Sequence, residues 1–173
     1  RIVVSAYGDD DKGSSSGSAY VYERQANGTW IETAKLVAKD GAASDYFGYS
    51  VAISGDRIVV GAYGDDDKGS NSGSVYVFIR DGDNWVFQQK IVPVDGTNND
   101  HFGTALSLEG NTLAVGAPFD DDKGTDCGSA YIFIRNNGVW SLEQKLTASD
   151  GSNSDNYGRG VSLSGDTVAI GAP

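Results

Sequence analysis

The sequence predicts an all-β fold of repeated four-stranded sheets, and three observations support this prediction. One segment recurs, because Phe47-Gly48, Phe102-Gly103 and Tyr157-Gly158 follow one another at intervals of about 55 residues. Short runs rich in Val, Ile, Tyr and Phe alternate with clusters of Gly, Asn, Asp and Ser, a pattern typical of strands and turns. No window has helical spacing, and the chain contains 24 glycines. A period of this length indicates one supersecondary unit copied in series.

Each complete unit contains four predicted strands. In the first complete unit they lie at residues 47–54, 57–63, 74–80 and 85–92. In the second they lie at residues 102–109, 112–118, 129–135 and 140–147. Gly55-Asp56 suits a two-residue hairpin, because glycine accepts a positive φ without steric cost. Four antiparallel strands per unit correspond to one blade of a β-propeller. A solenoid is the alternative, although its coils are usually shorter and gain parallel strands.

The order of strands divides the chain into four units. Arg1–Ala6 matches the second strand of a unit, so the chain begins inside one. The predicted units are a partial blade at 1–46, complete blades at 47–101 and 102–156, and a partial blade at 157–173. Closed propellers have roughly four to eight blades. We therefore expect a fragment of a longer ring, whose remaining blades belong to the same chain. Several chains sharing one ring is the alternative.

Several short motifs recur together in a fixed order. Phe47-Gly48 is followed by Gly61-Ala62-Tyr63 and then by the aromatic strand VYVF at 75–78. In these motifs the chain resembles the FG-GAP repeats of the integrin alpha-subunit propeller, in the short form common in bacterial surface and secreted proteins. The resemblance extends over the whole chain. It implies a seven-bladed propeller that is secreted or held at a cell surface, where such modules serve binding and adhesion.

Composition narrows the possible partners. The chain carries 24 acidic and 13 basic side chains, a net charge of −11, which argues against nucleic-acid binding because that function needs a basic surface. No apolar run reaches roughly 18 residues, so no segment is predicted to span a membrane. Cys127 is the only cysteine, which excludes an internal disulfide. His101 is the only histidine and is not repeated, so neither a zinc site nor a nucleophilic triad is predicted.

Most of the acidic residues are placed on one face by the order of the strands. Aspartate triplets at 9–11, 65–67 and 120–122 open the loop between the second and third strands of each unit. Aspartate pairs lie between the fourth strand of one unit and the first strand of the next: Asp40 and Asp45, Asp95 and Asp100, Asp150 and Asp155. Successive turns of a meander alternate between the two ends of the strands. Both kinds of loop therefore open on the same face.

Calcium is the cofactor that this acidic face suggests. Calcium needs six to eight oxygen ligands, and alternate side chains of an extended triplet point the same way. The outer members of each triplet are candidate ligands: Asp9 and Asp11, Asp65 and Asp67, Asp120 and Asp122. The aspartate pairs span a turn and are candidates for a second cage. The alternative is that all these aspartates cap turns, with Lys12, Lys68 and Lys123 partly neutralising the triplets.

The family resemblance carries no metal residues over to this chain. In integrins the calcium loops lie between Phe-Gly and Gly-Ala-Pro. Here that interval holds only a short hairpin such as SGDR at 54–57, which cannot wrap an ion. Any calcium site is therefore expected on the opposite, acidic face.

Aromatic residues also recur, and most are predicted to be structural. Tyr76 and Phe78 alternate along the third strand and are expected to fill the gap between neighbouring blades. Trp30, Trp85 and Trp140 begin the fourth strand just after a turn. They are candidate platforms for a sugar ring, and the alternative is that each one seals the edge of a blade.

The leading functional prediction is a non-catalytic, extracellular or cell-surface propeller that binds a protein or a glycan. Carboxylate pairs like those of glycosidases are present, but they recur identically in every unit, whereas catalysis usually needs one asymmetric site. Two alternatives remain open. One is an accessory propeller of a secreted enzyme whose catalytic part lies elsewhere, and the other is a lectin with sugar sites between blades.

Overall fold

The computed structural model describes all residues, Arg1–Pro173, and contains thirteen strands. It has no helix that is long and apolar enough to cross a membrane. The strands of the first two units are β1 Ile2–Ala6, β2 Ser18–Arg24, β3 Trp30–Leu36, β4 Ser50–Ser54, β5 Arg57–Ala62, β6 Ser74–Asp81 and β7 Asn84–Ile91. The strands of the last two are β8 Ala105–Glu109, β9 Thr112–Ala117, β10 Ser129–Asn136, β11 Val139–Leu146, β12 Gly160–Ser164 and β13 Thr167–Gly171.

These strands form four antiparallel sheets in which each strand pairs with its neighbours in the sequence. The sheets are β1-β2-β3, β4-β5-β6-β7, β8-β9-β10-β11 and β12-β13. The predicted all-β class and the four-stranded meander are confirmed, and the sheets have the architecture of propeller blades. The first strand of each complete unit is shorter than predicted. These strands begin at Ser50 and Ala105 and not at Phe47 and Phe102, because Gly48 and Gly103 have a φ of about 90° and interrupt the extended conformation.

Two apolar layers lie between successive sheets. The first joins β1–β3 to β4–β7, and the second joins β4–β7 to β8–β11. Phe47 and Phe102 are fully buried in these layers. Phe102 lies 5.2 Å from the ring of Tyr131 and 6.0 Å from the ring of Phe133, in edge-on geometry. The aromatic residues that alternate along the third strand therefore pack against the preceding sheet, as the sequence suggests.

Glycines let the backbones of successive sheets touch near the innermost strands. A Cβ atom on Gly61 would lie 2.1 Å from the carbonyl oxygen of Gly103, and one on Gly116 would lie 1.9 Å from that of Gly158. Each of these carbonyls belongs to the Phe-Gly or Tyr-Gly pair of the next unit. The glycine of the Gly-Ala motif thus makes room for the glycine of the following Phe-Gly motif. The two motifs form the two halves of one contact.

We expect Phe102→Ala to destabilise the chain by about 3–5 kcal/mol, the usual range for a buried phenylalanine. The side chain is fully buried between two sheets, so its removal leaves a cavity that packed neighbours cannot close. Urea denaturation followed by tyrosine and tryptophan fluorescence measures the loss. Val94→Ala is the control, because Val94 is 78% exposed. A loss below about 1 kcal/mol would place Phe102 outside the well-packed layer.

Candidate functional site on the acidic face

The acidic loops of one unit lie against the connection that leads to the next. In the second junction the backbone amide of Asn99 donates to the carbonyl of Ser70 at 2.7 Å, and that of His101 donates to the carbonyl of Asn71 at 3.1 Å. Ser44 and Tyr46 make equivalent bonds in the first junction. The triplet loops and the connections therefore meet on one face, where the order of strands predicts them.

A lysine of the outermost strand stands at the centre of each group of aspartates. The Nζ atom of Lys145 lies 2.7 Å from Asp95, 2.7 Å from Asp120 and 2.5 Å from Asp122. Carboxylate oxygens of these three aspartates lie within 4.8 Å of one another. Asp95 comes from the connection that follows the preceding sheet, whereas Lys145 belongs to β11. The lysine thus links two sheets.

The same group recurs one unit earlier. The Nζ atom of Lys90 lies 2.9 Å from Asp40, 2.8 Å from Asp65 and 2.7 Å from Asp67. In the first unit Lys35 pairs with Asp9 at 2.9 Å and also with Asp11. The outer aspartates of every triplet therefore converge on a side chain of their own sheet. Asp66 and its equivalents point elsewhere, and the Oδ1 atom of Asp66 accepts a hydrogen bond from the amide of Asn71 at 2.7 Å.

A tyrosine completes each group. Tyr131 lies directly opposite Lys145 in the β10–β11 pairing, and Tyr76 lies opposite Lys90. The Tyr131 hydroxyl lies 3.1 Å from Asp95 and 3.0 Å from Asp120, so it can donate its hydrogen to either carboxylate. The ammonium of Lys145 lies 5.0 Å from the centre of the Tyr131 ring. A bulge after Ile132 sets this pairing, because the register shifts by one residue there.

Charge pairing governs the ionisation of these groups. Burial by itself disfavours the charged form of Lys145, but its hydrogen bonds to three aspartates raise its pKa above the usual value. Burial would raise the pKa of Asp95, but the bonds from Lys145 and Tyr131 lower it. The pKa of Asp40 is lowered in the same way by Lys90 and Tyr76.

The second member of each aspartate pair has a different role. The Oδ2 atoms of Asp45, Asp100 and Asp155 accept hydrogen bonds at 2.7 Å from the backbone amides of Ala42, Thr97 and Ser152, respectively. They cap turns, as the alternative interpretation of the sequence suggests. Burial raises the pKa of Asp45 to about 6 and also raises that of Asp100. Asp95 and Asp100 do not share one centre, because only Asp95 belongs to the converging group. Asp150 has the sequence position of Asp40 and Asp95 but makes no ion pair.

Sequence reasoning missed the lysines that hold the aspartates. Lys12, Lys68 and Lys123, which follow the triplets, are exposed and form no ion pair. The signal was present, because Lys35, Lys90 and Lys145 recur at the same interval as the tryptophans. Their partners are close in space but distant in sequence, since Asp95 and Lys145 are 50 residues apart.

A second feature of this face is a continuous row of rings near the innermost strands. This inner aromatic band consists of Tyr7, Tyr46, Tyr49, Tyr63, His101 and Phe119. Ring centres are 5.6 Å apart between Tyr7 and Tyr49 and 4.6 Å apart between Tyr49 and Tyr63. They are 4.8 Å apart from Tyr63 to His101 and again from His101 to Phe119. Tyr46 stacks on Tyr63 at 4.9 Å. The band crosses three sheets, and Tyr7 and Tyr49 are 51% and 40% exposed.

The three repeated tryptophans differ in their surroundings. Trp140 is 3% exposed and belongs to the layer formed with β4–β7. Trp85 is partly buried against the layer formed with β1–β3, whereas Trp30 is 44% exposed. Trp85 and Trp140 therefore pack on the preceding sheet, and Trp140 presents no open ring face on which a sugar could stack. The sugar platform stays a prediction, and Trp30 has the most open ring of the three.

Comparisons with known proteins agree with this architecture. The sequence model of the FG-GAP repeat matches residues 1–22, 30–78, 85–133 and 140–173. Integrin alpha-PS5 of Drosophila melanogaster is 34% identical over 107 residues, an alignment that covers 52% of this chain and 10% of the relative. The chain therefore spans only a small part of the length of this relative. The span 30–78 runs from the outermost strand of one sheet through the third strand of the next.

Two aspartates of one connection are expected to give opposite responses to pH. Asp45 holds its proton more tightly in the folded chain, so its contribution to stability is complete below its unfolded pKa of 3.8 and is lost as the pH rises through about 6. Asp45→Asn keeps an acceptor for Ala42 and removes this loss. We expect it to stabilise the chain at pH 7 by roughly 1–3 kcal/mol, since one pKa unit corresponds to about 1.4 kcal/mol.

The matched variant is Asp40→Asn, which removes a carboxylate with a lowered pKa. The contribution of the Asp40 carboxylate to stability is present at neutral pH and is lost as the pH falls through its folded pKa. The variant should therefore be less stable than the unchanged chain at pH 7. Urea denaturation at about pH 4 and pH 7 separates the two. If both variants were destabilised at pH 7, burial would not be the dominant influence on Asp45.

Proposed function

This chain belongs to the FG-GAP repeat family, and we propose that it is a non-catalytic module of a secreted or cell-surface protein that binds a protein partner through the inner aromatic band. The continuous row of rings, in which Tyr7 and Tyr49 are exposed and the other four are half-buried, is the observation that carries the proposal. Tyrosine is enriched at protein interfaces, because it combines a large contact area with one polar tip. The similarity to a protein named as an integrin alpha subunit supports a role in binding.

Variation between the units favours a specific partner. Successive units carry Tyr7, Tyr63 and Pro118 at one position of the band, and the ring of the third unit comes from Phe119, one residue later. A second position holds Tyr46, His101 and Asn156, and a third holds Tyr49, Thr104 and Arg159. The motifs that join the sheets are by contrast almost the same in every unit. A surface whose residues differ from blade to blade distinguishes one orientation of a partner from the others, which a symmetric surface cannot do.

Backbone strain at the band also supports a functional role. Tyr46 has a φ of 55° and His101 a φ of 54°. This left-handed conformation is unfavourable for residues with bulky side chains, and strain of this kind costs of order 1–3 kcal/mol. It persists because the amides of both residues are bonded to the loop of the preceding sheet. The strain fixes the rings at the surface, where they are pre-organised for contact.

The charge around the band indicates the chemistry of the partner. Each complete junction combines three aspartates with one lysine, and Asp66 and Asp121 are exposed beyond them. The rim of the band is therefore negatively charged. We propose a partner surface with an apolar or aromatic centre and a rim of lysine and arginine, because complementary charges speed association and select the partner.

Tyr49→Ala tests this function. The unchanged chain is screened against arrays of purified extracellular proteins and of glycans, and captured proteins are titrated by surface plasmon resonance. We expect Tyr49→Ala to weaken binding at least roughly 30-fold, the loss typical of a central aromatic side chain at an interface. Val139→Ala is the control, because Val139 is 59% exposed and lies on an outer hairpin. Glycan capture that survives Tyr49→Ala would instead favour the lectin alternative, and protein binding unaffected by the substitution would contradict a role for the inner aromatic band.

We also propose that the units at 1–46, 47–101, 102–156 and 157–173 are blades of a closed ring, seven-bladed by family resemblance. The remaining blades would belong to the same protein. The support is Trp30, which is 44% exposed here, whereas its equivalent Trp140 is covered by a preceding sheet.

Fluorescence quenching of the full-length protein tests the closed ring. In a variant in which Trp30 is the only tryptophan, we expect a neighbouring blade to shield it from iodide. Quenching as strong as that of a free tryptophan would contradict closure next to this sheet. The same measurement on the present chain supplies the exposed reference.

A further inference from the structure

We propose that a lysine ammonium, and not a metal ion, is the resident cation of the aspartate triplet in each of the first three units. The lysines are Lys35, Lys90 and Lys145. The convergence of Asp95, Asp120 and Asp122 raises the expectation of calcium at this face. With the lysine in place, the groups present satisfy an ammonium and leave no position for calcium. These carboxylates therefore stabilise the fold without calcium.

The position of the ammonium is the first reason. Calcium needs six to eight oxygens at about 2.3–2.6 Å. The point on which the three carboxylates converge is held by the Nζ atom of Lys145, 2.7 Å from Asp95 and Asp120 and 2.5 Å from Asp122. A metal ion at that point would coincide with the nitrogen. Binding would require the whole side chain to leave.

The count of donors and acceptors is the second reason. An ammonium has three hydrogens to donate, and Lys145 has three carboxylate partners. The other oxygen of Asp120 accepts from the hydroxyl of Ser129 at 3.0 Å and from the amide of Asp122 at 3.1 Å. The other oxygen of Asp95 lies 3.1 Å from the hydroxyl of Tyr131. The oxygens around the centre are thus largely committed before any ion arrives.

The cost of displacing the lysine is the third reason. The side chain of Lys145 is 17% exposed and that of Asp120 is 3% exposed. A buried charge that loses its partners is strongly unfavourable. A lysine joined to the chain also loses no translational freedom on binding, whereas a free ion does. The tethered cation therefore competes with calcium at a high effective concentration.

The first unit supplies an internal comparison. Lys35 has only the two triplet carboxylates, Asp9 and Asp11, and its side chain is more exposed, at 34% compared with 15% for Lys90. The lysine nevertheless takes the same place between them. Tyr20 again lies opposite Lys35 in the strand pairing. Occupancy by lysine is therefore a property of each unit and does not require the bridging aspartate.

Lys145→Met tests the proposal in the full chain. It keeps an unbranched apolar stem, removes the ammonium and leaves three carboxylates without a cation. When both chains are measured in EDTA, we expect the variant to have a lower urea midpoint than the unchanged chain. Added calcium should then restore stability to the variant. At about 10 mM calcium, roughly tenfold above the dissociation constant of weak extracellular sites, its folding equilibrium constant should rise about tenfold. At matched ionic strength the unchanged chain should respond less than about twofold.

Lys123→Met is the matched control, because Lys123 follows the same triplet but makes no ion pair. It should match the unchanged chain with and without calcium. A calcium response of the unchanged chain that disappears in Asp122→Asn would overturn the proposal, since a metal would then enter the junction. So would a Lys145→Met chain as stable in EDTA as the control. If Lys145→Met does not fold, Lys35→Met allows the same comparison at the more exposed triplet of the first unit.

Discussion

Direct contact between the backbones of successive sheets is the constraint on which the rest of this structure depends. The carbonyl of Gly103 lies where a side chain on Gly61 would begin, and the carbonyl of Gly158 lies in the same relation to Gly116. The amide of Gly103 in turn donates to the carbonyl of Gly116 at 3.0 Å, within its own sheet. Glycines therefore link sheet to sheet near the innermost strands. Any larger residue would push the inner edges apart and change the angle at which one sheet follows another.

Close approach at the inner edge leaves a widening gap toward the outer strands, and large side chains fill it. Phe102, Tyr131 and Trp140 lie in the gap between the second and third sheets. At the acidic end the same gap is bridged by ions, where Asp95 reaches from one sheet to Lys145 of the next. The tyrosine ring supports the lysine stem and its hydroxyl meets the carboxylates. Apolar packing and the ion group thus fill different parts of the same gap between sheets.

The repeat, the strands and the shared face of the acidic loops could all be predicted from the sequence, because each depends on local pattern and on strand order. The lysines could not be assigned, because a bulge after Ile132 decides that Lys145 lies opposite Tyr131, and a bulge leaves no clear pattern in the sequence. The difference between Asp95 and Asp100 was also hidden. Both are aspartates of one short turn, and only the neighbouring sheet makes one an ion partner and the other a buried cap.

The residues that repeat and the residues that vary serve different ends. Glycines, core aromatics and the aspartate–lysine groups are alike from unit to unit. This is because the backbones approach closely, the gap must be filled and the clustered aspartates need a cation in each of them. A partner, however, needs a surface that is not the same at every blade. In the proposed function the inner aromatic band is that surface. Tyr63 and Phe119 directly follow strands, and His101 lies in the connection before β8, so all three lie beside strands that the repeated contacts have already fixed. Variation there changes the surface without disturbing the junctions, so one scaffold can carry many different binding faces.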